Sequence, residues 1–350
     1  MRIMVTGHRG YIGTVLVPLL SAQGHEVVGV DSDLYRGCTF GAPIPRIDQG
    51  ARDIRSLGPA DFRGVHSVIH LAGLSNDPLG LLNPKLTMAV NHRATLTLAE
   101  TARQVGVRRF VFASSCSNYG TSGEAWVTEN SPFRPVTPYG RAKAKAEQGL
   151  AALAMEGFSP TFLRCATAYG VSPMLRFDLV LNNLVAWACA TGQVRLKSDG
   201  MAWRPLVHVE DIALAIIAVL DAPADRVHNQ AFNVGQTEEN FRVRDLADIV
   251  ARTIPGTRVE YAPDASRDQR CYRVDCSSIH RALPGFRPRW NVQKGAIELY
   301  EALRSKAISP EDFEGPRFSR VACLRRRMAA GDIGPDLEWR SGAGDRRDVP

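Results

Sequence analysis

A chain of 350 residues, 45% hydrophobic and 23% charged, can bury a sizeable core and suits one large α/β domain with a smaller substrate-binding portion. No apolar run approaches the ~18–20 residues a membrane helix needs, and the N-terminus lacks the basic segment, apolar core and cleavage site of a secretory signal, so no membrane span is expected and the protein is read as cytoplasmic. The net charge of +7 is dispersed apart from Arg325, Arg326 and Arg327, which argues for a phosphorylated small substrate over nucleic acid, and seven cysteines without C-x-x-C spacing argue against a disulfide framework or a metal site.

The first element is the apolar run ending at Thr6, followed by Gly7, Gly10 and Gly13 and then a helical pattern through Leu20. G-x-x-G-x-x-G between a strand and a helix is a dinucleotide-binding turn. Gly7 permits the tight turn, Gly10 lets backbone approach a pyrophosphate, and Gly13 lets the helix lie close on the strand. The helix N-terminus then directs bare N–H groups and its dipole at the anion. The second run, Glu26 to Val30, ends in Asp31, about twenty residues beyond the glycines, where a carboxylate accepts ribose hydroxyls and favours NAD over NADP. Pro18 predicts a kink or a short first helix.

Asp53-Ile54 falls just after the expected third strand, placed to meet the adenine edge and face. Val65 to Leu71 alternates as a half-buried strand, and Ala72-Gly73 after it lets a cofactor pass close to backbone. A loop, Ser75-Asn76-Asp77-Pro78, follows. Asn91, a capping-type residue, opens a helical pattern. The strand Arg109 to Ala113 runs into Ser114-Ser115-Cys116-Ser117-Asn118-Tyr119-Gly120. Alternating strands and helices predict a Rossmann-type, doubly wound parallel sheet. Tyr139 and Lys143 then stand four apart at the start of a helix, on one face. An ammonium beside a phenol lowers its pKa from about 10 toward neutrality, which fits Tyr139 to take a proton from a hydroxyl or return one to a carbonyl, with a strand-end serine sharing the hydrogen bond.

From Met1 to about Leu303 the chain resembles the extended short-chain dehydrogenase/reductase family, in its NAD-dependent nucleotide-sugar epimerase/dehydratase branch. The carriers are Thr6 to Gly13, Asp31, Asp53-Ile54, His70-Leu71-Ala72-Gly73, Asn91, Ser114-Ser115 with Tyr119-Gly120, and Tyr139 with Lys143. Asn182-Asn183-Leu184, Arg204 to Asp211 and Phe232-Asn233-Val234-Gly235 continue it. The resemblance implies a catalytic Ser115, Tyr139 and Lys143. It implies NAD held by Gly7, Gly10, Tyr11, Ile12, Gly13, Asp31, Asp53, Ile54, Leu71, Ala72, Gly73, Asn91 and Ser114, together with Tyr139 and Lys143. It implies a nucleotide-diphosphate sugar held by Ser75, Asn76, Thr167, Asn183, Leu184, Arg204 and Arg267, and a homodimer. A guanidinium suits a diphosphate because it offers several donors in a fixed fork.

Departures narrow the reaction. Dehydratases of the branch place Asp-Glu after the catalytic hydroxyl, where this chain has Cys116-Ser117; decarboxylases carry glutamate at the position of Ser117. Certain 3,5-epimerases use a cysteine two positions before the tyrosine, whereas Cys116 lies three before Tyr119. Thr167 stands where many members show asparagine. The expected activity is C4 epimerisation through a transient 4-keto sugar, the alternatives being a 4-ketoreductase or dehydrogenase, a 4,6-dehydratase, a 3,5-epimerase, or a non-catalytic NAD-binding scaffold. Residues 1–170 are read as the NAD-binding domain, with sheet elements returning over about 204–235. Residues 171–303 are read as mainly substrate-binding, 304–330 as an extra basic helical segment and 331–350 as a flexible tail.

Overall fold

Short runs of β-branched and aromatic residues bounded by turn residues become strands. In the computed structural model, which describes residues 1–41, 44, 47, 51–266 and 270–340, these are β1 (Arg2–Thr6), β2 (Glu26–Val30), β3 (Ser67–His70), β4 (Arg109–Ser115), β5 (Thr121–Val127), β6 (Ser159–Cys165), β7 (Thr167–Tyr169), β8 (Gln193–Ser198), β9 (Trp203–His208), β10 (Gln230–Val234), β11 (Asn240–Arg242), β12 (Arg258–Ser266) and β13 (Cys271–Val274). Six of them form one parallel sheet in the order β10-β6-β4-β3-β1-β2. The reversal of strand order at β1/β3 opens a crevice at the carboxyl ends of the strands. Smaller sheets, β11-β9-β7, β12-β8 and β13-β5, carry the later half of the chain.

Helices cover both faces of a sheet of this kind, so its inner strands are buried nearly throughout rather than alternately. That corrects the half-buried reading of Val65 to Leu71: all four residues of β3 are buried. The first helix, Gly13–Ala22, runs ten residues through Pro18. The helix expected to open at Asn91 begins earlier, at Pro84, and passes through a wide turn over Ala89–Ala94 before continuing as Thr95–Gln104. Asn91 is therefore internal and buried, not a cap. All seven cysteines are free thiols.

Beyond the helix Val292–Arg304 the chain forms Pro310–Glu314 and Arg320–Ala329, then an antiparallel bridge between Ile333 and Trp339. Leu324, Ile333 and Leu337 are buried against Leu34, Leu74 and Leu79. The flexible-tail reading thus gives way over 331–340, where apolar side chains find a core to join; 341–350 lie outside the described residues. No helix among the described residues is long and apolar enough to cross a membrane.

His70, at the end of β3, is fully buried. Its Nδ1 lies 2.6 Å from Thr6 Oγ1 and its Nε2 lies 2.8 Å from Thr95 Oγ1, so the imidazole ties β1 and β3 to the helix Thr95–Gln104. Burial, reinforced by the charge of Lys143, drives its pKa down to about 3. The unfolded chain, titrating near 6.5, binds a proton that the folded chain refuses, so stability is full above pH ~6.5 and is lost as pH falls toward 3. Between pH 7 and 5 the wild type should lose about 2 kcal/mol more unfolding free energy than His70→Gln, measured by urea titration; equal losses would show that His70 is not the titrating group.

Candidate active site and dinucleotide cleft

The turn after β1 is built from backbone contacts that leave no space for a side chain at Gly7 or Gly13. Gly7 has φ +74°, and a Cβ there would sit 2.7 Å from Ala72 N. A Cβ at Gly13 would sit 2.6 Å from His8 Cα. At Gly10 the one near neighbour is Gly7 O, at 3.1 Å. Gly7 and Gly13 are thus constrained by the protein itself, while the open side of Gly10 belongs to the cleft. Asp31 accepts from Arg9 N at 3.0 Å and Asp33 N at 2.8 Å. Burial raises its pKa, and those two N–H groups act against the rise.

The turn through Gly13, Asp31, Asp53-Ile54, Leu71-Ala72-Gly73 and Ser75 all line one cleft. Asn91 holds its wall in place: its amide accepts from Leu74 N at 2.8 Å and donates to Leu74 O at 3.0 Å. Asp53 is clasped by Arg55 through bonds of 2.9 and 2.8 Å, so its carboxylate is less free for an adenine edge than its position in the sequence implies. Tyr35, Met174, Arg176, Arg320 and Leu337 also line the cleft and were missed. Two of them bring buried polar atoms without partners: the Tyr35 hydroxyl and Arg320 Nη2. A helix N-terminus, an acceptor at Asp31 and unsatisfied donors along one wall are the groups a dinucleotide requires, so the site fits NAD.

Thr137 caps the next functional helix, accepting from Gly140 N at 3.1 Å, with Pro138 in its first turn. This presents Tyr139 at the start of Pro138–Ala152, with Ser115 at the end of β4 near enough to favour its phenolate. Ser115 Oγ also accepts from Ser117 N at 3.1 Å and Ser117 Oγ at 2.8 Å. Burial pushes Tyr139 up to about 12, with Ser115 and the Arg176 charge pulling the other way. Lys143 donates to Ala113 O at 2.7 Å and sits 4.5 Å over the Phe112 ring, and burial drives it down to about 8. The sequence predicts that Lys143 brings Tyr139 toward neutrality. Here desolvation of the phenol wins and the ammonium is drawn to a β4 carbonyl, while Arg176 is the cation acting on Tyr139.

Other predicted site residues have partners of their own. The Ser114 hydroxyl faces away from the cleft, donating to Glu147 Oε2 at 2.5 Å and accepting from Asn118 Nδ2 at 3.1 Å. Asn76 caps the helix Asp77–Leu82 and donates to Asp178 at 2.7 Å. Asn183 donates to Phe177 O at 2.9 Å, Leu184 is buried in the core, and Thr167 lies in β7 opposite Leu206. Arg204 is buried, donating to the carbonyls of Trp203, at 2.8 Å, and Arg270. Arg267 lies outside the described residues.

The three glycines should therefore respond differently to alanine. Gly10→Ala should melt within about 3 °C of the wild type yet raise the Kd for NAD at least ~tenfold, because its methyl enters the phosphate path. Gly7→Ala should cost about 2–4 kcal/mol of stability. Calorimetric melting and NAD titration on both variants check this; a Gly10→Ala protein binding NAD as the wild type does would refute it.

A model of the NAD dependent epimerase/dehydratase family matches residues 3–235. The chain is 30% identical over 319 residues to a dTDP-glucose 4,6-dehydratase of Streptomyces griseus, covering 87% of this chain and 95% of that one. It is 28% identical over 318 residues to a UDP-glucose 4-epimerase of Mycolicibacterium smegmatis, covering 88% and 100%. Among solved structures, MoeE5 in complex with UDP-glucose and NAD superposes with a TM-score of 0.74 at 28% identity, covering 88% of this chain and 100% of that one. With its parallel sheet, its glycine turn and a cleft suited to NAD, the chain belongs to the NAD dependent epimerase/dehydratase family.

Proposed function

We propose that the protein is an NAD-dependent epimerase acting at C4 of a nucleotide-diphosphate sugar through a transient 4-keto sugar. The observation that carries this reading is the Ser115–Tyr139 pair at the end of β4 with no carboxylic acid beside it in sequence. Cys116 and Ser117 follow Ser115. Cys116 is a buried thiol that donates to Arg164 O at 3.1 Å, and burial holds its pKa well above the usual thiol range. It is poorly suited to acid/base work on a sugar. Elimination of water needs an acid to expel hydroxide, whereas epimerisation needs only one group that takes and returns a proton. The relatives include both a 4-epimerase and a 4,6-dehydratase, which makes dehydration the second reading.

Bound NAD supplies a reversible hydride acceptor. The chain's part is proton traffic at O4: Tyr139, beside Ser115, receives the hydroxyl proton as a phenolate and returns it once the ketone has presented its other face. Burial pushes Tyr139 up to about 12, so the phenol must first release its proton to solvent before it can accept the one from O4, and it then holds that proton for the returning half of the cycle. Ser115 and Arg176, which both favour the phenolate, assist the accepting half.

Tyr139→Phe keeps the ring packing but removes the proton carrier, so turnover should fall by roughly two to four orders of magnitude while NAD still binds. A variant keeping more than about a tenth of wild-type rate would exclude Tyr139 as the acid/base.

A second prediction concerns the reaction course. Sugar nucleotide deuterated at C4 should give product inverted at C4 with the label retained there and no added NADH. Loss of water from the sugar would assign the dehydratase, net consumption or release of NADH the ketoreductase or dehydrogenase, and solvent hydrogen at C3 or C5 the 3,5-epimerase.

A further inference from the structure

The resemblance of the chain to its family ends at about Leu303, yet the segment beyond it is packed on the cofactor cleft. Trp339 Nε1 donates to Ser32 O at 2.6 Å, next to Asp31 in the chain. Arg327 donates to Arg36 O at 2.7 Å, and Asp336 O accepts from Arg55 at 3.1 Å. Leu337 lines the cleft itself. At the opposite end of the same wall, Arg320 Nη1 donates to Ser75 Oγ at 2.7 Å, bridging 245 positions of sequence.

Arg320 has incomplete hydrogen bonding at the cleft. It is 9% exposed, lines the cleft, and lies 4.8 Å over the Tyr35 ring. Its Nη2 is buried without a partner, and so is the Tyr35 hydroxyl. Among the described residues no carboxylate lies within ion-pair distance of Arg320. The nearby Asp178 is held by Arg176 through bonds of 3.0 and 2.5 Å, and by Asn76. Two guanidinium groups thus face this part of the cleft with one carboxylate between them. Burial, then repulsion from Arg176, pushes the Arg320 pKa down, as expected for a cation short of counter-charge. The place where an anion would relieve this is defined by the fold. Ser75 follows Ala72, whose backbone N lies 2.7 Å from where a Gly7 Cβ would be, so the guanidinium is held at the same end of the sheet as the N-terminus of Gly13–Ala22. Helix N–H groups and a guanidinium short of counter-charge, both lining this cleft, are the kind of groups a diphosphate recruits.

We propose that segment 320–340 is part of the cofactor site and that Arg320 supplies a cation and a hydrogen-bond donor to the diphosphate of NAD. The inference rests on the family's use of NAD and is independent of the C4 reading, because its test needs no sugar chemistry.

The test is calorimetric titration of the full-length protein, stripped of cofactor, with NAD, adenosine and UDP. Arg320→Met should raise the Kd for NAD about tenfold or more, leave adenosine within about twofold because it has no phosphate, and flatten the dependence of the NAD Kd on sodium chloride. Arg320→Lys, which retains the charge, should recover part of the loss. Unchanged NAD affinity in Arg320→Met would overturn the assignment. So would equal weakening of NAD and adenosine, which marks a structural role, or weakening of UDP alone, which places the cation on the substrate diphosphate. Arg320→Gln repeats the test if the methionine variant does not melt cooperatively, and failure of both to melt cooperatively would also overturn it.

Discussion

The site depends on a steric constraint at Gly7. A residue with φ +74° whose Cβ direction is filled by the Ala72 backbone lets the loops after β1 and β3 touch, and only glycine allows that approach. The contact sets the glycine turn, the start of Gly13–Ala22 and the wall from Leu71 to Ser75 relative to one another. The helix dipole is thereby aimed into the crevice at the reversal of strand order, not at bulk water, where it would be screened. His70 reinforces the same junction from below, through Thr6 and Thr95.

A second, wholly buried network orients the helix Pro138–Ala152. Glu147 of Pro138–Ala152 accepts from Arg164 Nε at 2.9 Å and from Ser114 at 2.5 Å. Arg164 Nη1 donates to Tyr119 OH at 2.9 Å, and that hydroxyl donates to Asn233 Oδ1 at 2.7 Å. One carboxylate and one guanidinium therefore link the helix to β4, β6 and β10. Desolvating such a pair is costly and its Coulombic attraction offsets that cost only when the remaining hydrogen bonds are made. They are made here at both oxygens of Glu147, so the network fixes direction: with Ser114 turned to Glu147, alternation along β4 turns Ser115 toward Tyr139.

The proposed acid/base pair and the cleft are differently supported. Tyr139 and Ser115 stand on regular elements of the central sheet and its helix, which suits a group that must hold a proton at one position through a cycle. The cleft is walled partly by a segment from the far end of the chain, held by a small apolar cluster around Leu324 and Leu337 and by hydrogen bonds to Ser32, Arg36 and Ser75. That wall borders the cleft without forming part of the Ser115–Tyr139 pair.

What the sequence determined by itself was local. Gly7, Gly10 and Gly13 encode a turn through missing side chains, Asp31 marks the end of β2, and strand and helix periods alternate; each signal lies within a few residues, where steric rules act. The four-residue spacing of Tyr139 and Lys143 likewise fixed a shared helix face. Tertiary structure decided where the side chains went from there. Lys143 turned to Ala113 O, Asn91 became a buried clamp on Leu74, and the Ser114 hydroxyl joined Glu147. Arg176 and Arg320 carry no local signal at all, because an arginine in a loop or on a helix reads as surface until the fold buries it. Their place beside the cleft rests on contacts such as Arg320–Ser75, between residues far apart in the chain, where local periodicity and turn chemistry carry no information.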